Sequence, residues 1–74
     1  MAYLPNYLEA RSWLNDWMAL AQDGSEHAKR YLRNAAIEQR ANLEAVKRAG
    51  GHGSINSSEY ERSVTMIESA VATL

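Results

Sequence analysis

Two histidines, nine carboxylates and no cysteine are the side chains of this sequence with the most obvious reactive or ligating chemistry. Neither histidine sits where chemistry would need it. His27 falls in the first turn of a helix and off its apolar stripe, so an exposed imidazole is expected. His52 lies inside Gly50-Gly51-His52-Gly53-Ser54. A glycine-rich turn can present several amides to an anion. A phosphate loop, however, needs Gly-x-x-x-x-Gly-Lys-Ser/Thr after a strand; here a helix precedes and no lysine stands at that position. The segment is expected to be a hinge with a solvated histidine, with binding of a small ligand there as the other reading. No serine has the Gly-x-Ser-x-Gly context of a nucleophile elbow, and the carboxylates form no inward-facing acid–base pair. The sequence therefore points to a non-enzyme, with no catalytic residue, cofactor or metal site expected.

What remains is recognition chemistry. At about 100° per residue, one arc of the central stretch collects Glu26, Lys29, Arg30, Arg33, Arg40, Glu44, Lys47 and Arg48, six cations against two acids. Ile37 sits in the middle of that arc. Ringed by Arg30, Arg33 and Arg40, it resembles an apolar anchor with a cationic rim, suited to an acidic protein surface. The arc is long enough to contact several phosphates, which makes nucleic acid the alternative partner. Glu26 and Glu44 interrupt it, and no aromatic residue lies among the cations to stack a base. Lys29, Arg30, Arg33, Ile37, Arg40, Lys47 and Arg48 are the expected partner-binding set.

The element that carries this arc is Ser25 to Ala49, free of proline and glycine and rich in Ala, Leu, Glu, Gln, Lys and Arg. These residues lose little freedom in a helix. Ser25 supplies an N-cap, Glu26 and Lys47/Arg48 suit the two ends of the dipole, and Gly50 follows the C-terminus. Its apolar stripe is Ala28, Leu32, Ala35, Ala36, Leu43 and Val46, with Gln39 in its midst. A first helix is predicted over 6–22, with Asn6 and Glu9 as a capping box. Its broad apolar face includes Trp13 and Trp17, one turn apart. The tight Asp23-Gly24-Ser25 link makes helices one and two an antiparallel hairpin. After the hinge at 50–54, a third helix is predicted over 56–74, opened by an Asn56/Glu59 capping box. Its seam of Tyr60, Val64, Ile67, Val71 and Leu74 is narrow and coiled-coil-like. Helix one is too short to cover all of helix two. The third helix must therefore cover Leu43 and Val46, from the same chain or from a second one.

The expected fold is an all-α antiparallel three-helix bundle of a single domain over 1–74, also dimerising. Seventy-four residues bury only a modest core, which makes a homodimer attractive. Trp13, Trp17, Tyr60, Val64, Ile67 and Val71 are the candidate interface. Net charge is −1, distributed as −2 over 1–24, +3 over 25–50 and −2 over 51–74, so the plain reading is attraction between the central helix and its acidic neighbours within the fold, or a solvated face. A near-neutral chain of this kind is not a generally basic nucleic-acid binder. No apolar run approaches the roughly 20 residues of a membrane span, and the first residues lack signal-peptide features. No membrane contact and a cytoplasmic location are expected. The function expected is steric regulation or inhibition of a larger protein, as small regulators, antitoxins and phage-encoded inhibitors achieve it. A nucleic-acid-binding regulator or a structural subunit of a larger assembly are the alternatives.

Overall fold

The structure is a computed structural model that describes residues 3–50 and 55–74. Among these residues the chain forms three helices, α1 (Tyr7–Gln22), α2 (Glu26–Arg48) and α3 (Ser57–Val71), packed into one globule of 40 × 19 × 19 Å. The predicted helices 6–22 and 25–49 begin one residue early because Asn6 and Ser25 are caps. Their side chains accept from Glu9 N and Ala28 N at 2.9 and 3.1 Å. Helix three, predicted over 56–74, is capped by Asn56 and ends at Val71. Beyond it Thr73 N and Leu74 N donate to Ala70 O and Val71 O, the tighter i→i−3 pattern of a fraying end. His52 and the hinge residues after Gly50 lie outside the described residues.

α1 closes with a Schellman motif. Gly24 adopts φ +100, Gly24 N donates to Ala21 O and Ser25 N to Leu20 O. The short link that follows folds α2 back along α1. α3 runs antiparallel to α2, so α1 and α3 start side by side. Tyr7 N donates to a Glu59 carboxylate oxygen at 2.8 Å. This corrects the second capping box. Asn56 accepts from Glu59 N at 3.1 Å, but the Glu59 carboxylate caps the first turn of α1 instead of its own helix.

The α2 stripe is buried as predicted: Ala28, Leu32, Ala35, Ala36, Gln39, Leu43 and Val46. α1 covers its first part with Ala10, Leu14 and Ala21, and Ile67 of α3 completes that cluster. The far end, Leu43 and Val46, packs against Tyr60 and Val64, with Ile55 at its edge. The third helix of the same chain therefore performs the covering. Each large aliphatic side chain so buried contributes about 1.5–3 kcal/mol. Gln39 is fully buried and accepts on Oε1 from Tyr60 Oη at 2.5 Å and from Leu4 N at 3.3 Å. Burial pushes the Tyr60 phenol up to about 12. Leu4 itself is a core residue and Tyr3 meets the Tyr60 ring edge-on at 5.5 Å. The lead-in to α1 is thus part of the core.

Candidate functional site

The cationic arc of α2 divides in two. Arg40 and Lys47 are seven residues apart and lie on the edge of α2 next to α3. Glu61 and Glu68, also seven apart, lie on the facing edge of α3. Antiparallel packing brings the two pairs together. Arg40 donates to both oxygens of Glu68 at 3.0 and 2.6 Å and to Glu61 at 3.0 Å, a bidentate contact with a second carboxylate beside it. Lys47 sits 2.6 Å from Glu61, and Glu44 approaches both cations at 3.7 and 3.8 Å. The Arg40 hydrogen bond holds the Glu68 carboxyl below the usual carboxylate range, and Lys47 followed by Arg40 does the same to Glu61. Glu61 in turn raises the Lys47 ammonium. Arg40 and Lys47, expected as partner-binding residues, are thereby partnered within the chain. Lys29 shares their edge, but no acid of α3 pairs with it among the described residues. It pairs with Glu26 of its own helix at 3.3 Å instead.

The centre of the arc is different. Arg30, Arg33 and Arg48 are exposed, and none makes an ion pair among the described residues. Ile37 between them is 70% exposed, the most exposed large apolar side chain among the described residues. Arg30, Arg33 and Ile37 follow an i, i+3, i+7 spacing, so they form one ridge along the outside of α2.

The expected interface residues are distributed otherwise. Tyr60, Val64 and Ile67 are fully buried in the chain's own core, and Val71 is half-buried against it. The α3 seam is intrachain, because Leu43 and Val46 occupy it. Trp13 and Trp17 are half-buried on the α1–α2 flank. Their rings lie 6.0 and 4.1 Å from that of Tyr31, and Trp17 also meets His27 at 6.3 Å. Farther along the same side of α2, Tyr3, Asn42, Ala45, Val46 and Ala49 line an open groove of about 330 Å³. Sequence reasoning counted Glu61 and Glu68 in the acidic charge beside the central helix but did not pair them with Arg40 and Lys47. Their seven-residue spacing, matching that of Arg40 and Lys47, is the signal that could have found them.

Among the described residues, no group of three or more His, Cys, Asp or Glu side chains is arranged to hold a metal ion. No helix there is long and apolar enough to cross a membrane. No family model, no curated protein and no solved structure matches this chain.

Proposed function

We propose that this protein is a non-enzymatic docking module that acts sterically on a larger protein. The outer ridge of α2 enters an acidic groove on the partner, with Ile37 as the apolar anchor and Arg30, Arg33 and Arg48 as its cationic rim. The observation that supports this reading is the exposure of Ile37 between arginines that make no ion pair among the described residues. A ridge of this spacing suits helix-in-groove recognition. The alternative, nucleic-acid binding by the same arc, loses support because Glu61 and Glu68 neutralise Arg40 and Lys47. That leaves fewer cations to replace the counterions of a phosphate backbone.

The test is affinity capture from the native host with the wild-type chain, Ile37→Asp and Arg33→Glu, followed by mass spectrometry. All three proteins are expected to give the same helical circular dichroism. One stoichiometric protein should be recovered with the wild type and lost with both variants. Recovery of that protein by all three would refute the ridge as the docking element. Recovery of nucleic acid that salt releases would favour the alternative.

A further inference from the structure

Two surfaces of opposite sign carry charges that make no ion pair among the described residues. The ridge of α2 carries Arg30, Arg33 and Arg48. The flank where α1 meets α2, away from α3, carries the opposite sign. On α1, Glu9, Trp13, Asp16 and Leu20 follow an i, i+4, i+7, i+11 spacing and share one face. Glu38 lies on α2 seven residues beyond Tyr31, whose ring packs on both tryptophans. Glu9, Asp16 and Glu38 are exposed, and no ion pair among the described residues involves them. Leu20 is 51% exposed between the acids and the aromatic floor. The flank is therefore an apolar, aromatic face with carboxylates along its edge.

We propose that this acidic, aromatic face receives the α2 ridge of a second copy of the chain, head to tail. Ile37 of one molecule packs on Leu20 and Trp13 of the next, while Arg30 and Arg33 meet Asp16, Glu9 and Glu38. A carboxylate rim repels phosphates, so nucleic acid does not fit this face. The chain itself carries the complementary element: a cationic helix ridge with an apolar anchor at its centre. The ridge and the acidic face are different surfaces, so the contact is heterologous. It propagates into an open string or closes into a ring. The inference rests on the ridge being a docking element, as in the proposed function, and adds a regulation of it. Self-assembly covers the ridge, so an acidic partner must displace a neighbouring copy to reach it.

The experiment is sedimentation equilibrium of the purified chain over a wide concentration range at low salt. The mass of the wild type should rise with concentration. Ile37→Asp damages only the ridge and Leu20→Asp only the acidic face; both positions are exposed, so both variants should fold and each alone should be monomeric. Mixed, they retain one intact interface and should form a 1:1 heterodimer that grows no further. Asp16→Lys should weaken assembly at least about tenfold, because it sets like charges together at the contact. A wild type that is monomeric at every concentration overturns the proposal. So does a mixture that stays monomeric, or a single variant that keeps a wild-type dimer. Host capture separates the two readings: Leu20→Asp should still recover the protein partner that Ile37→Asp loses. A monomeric wild type with ridge-dependent capture refutes self-assembly alone. Self-assembly without ridge-dependent capture refutes partner docking alone.

Discussion

Gln39 and Tyr60 offer the sharpest test of how the two ends of the bundle are joined. Gln39 Oε1 accepts from both Tyr60 Oη and Leu4 N in a site closed to solvent. Tyr60→Phe keeps the ring in place and removes one donor, while Oε1 keeps Leu4 N–H. The cost is one net hydrogen bond, about 1 kcal/mol. For a domain of this size that lowers Tm by about 4–8 °C. Gln39→Leu keeps the volume but orphans two buried donors. At about 1–3 kcal/mol each, less the gain from burying an apolar side chain, the net cost is about 2–4 kcal/mol. That is a large share of the roughly 4–11 kcal/mol expected for a chain of this length. Adding Tyr60→Phe to Gln39→Leu removes one of the two orphans, so the double variant should be more stable than Gln39→Leu alone. The assay is urea denaturation followed by helical circular dichroism, with all four proteins compared as a cycle. Strictly additive costs, or a Gln39→Leu chain as stable as wild type, would show that the buried amide is not what ties the lead-in and α3 to α2.

Three further expectations are simpler. Gly24→Ala should destabilise the chain by about 1 kcal/mol, because its φ of +100 strains any residue with a Cβ, and the same urea curves report it. Asn56→Ala should cost about 0.5–2 kcal/mol by uncapping α3, with Asn56→Ser recovering most of it. The carboxyls of Glu61 and Glu68 are held below their ordinary range in the folded chain, so the unfolded chain takes up protons first as pH falls. Their contribution is complete above the ordinary carboxylate range and is lost as pH drops through the lowered folded values. Arg40→Met should flatten that acid limb in pH-dependent denaturation; an unchanged limb would count against the network as its source.

The helices and their buried stripe were legible because local signals agreed. Caps at Asn6, Ser25 and Asn56, glycine after α1 and α2, and the apolar period of α2 all pointed the same way. Gln39 could be placed in the stripe by spacing alone, but its partners could not, since Leu4 and Tyr60 are distant in sequence. The division of the cationic arc was not read either. Arg33 and Arg40 are alike on a helical wheel until the position of α3 is known, and that decides which one meets an acid. Glu59 shows the same limit. Its sequence context suits a local capping box, yet Tyr7 N–H, 52 residues away, receives the carboxylate.

That long-range cap has a consequence for how the chain must fold. α1, made before α3 during synthesis, has an amide in its opening turn whose acceptor in the fold, Glu59, arrives only with α3. The α1–α2 hairpin on its own would also leave Leu43 and Val46 bare. A nascent chain halted before Ser57 should therefore behave as a fluctuating hairpin, and the α3 segment should set the three-helix bundle in a single cooperative step.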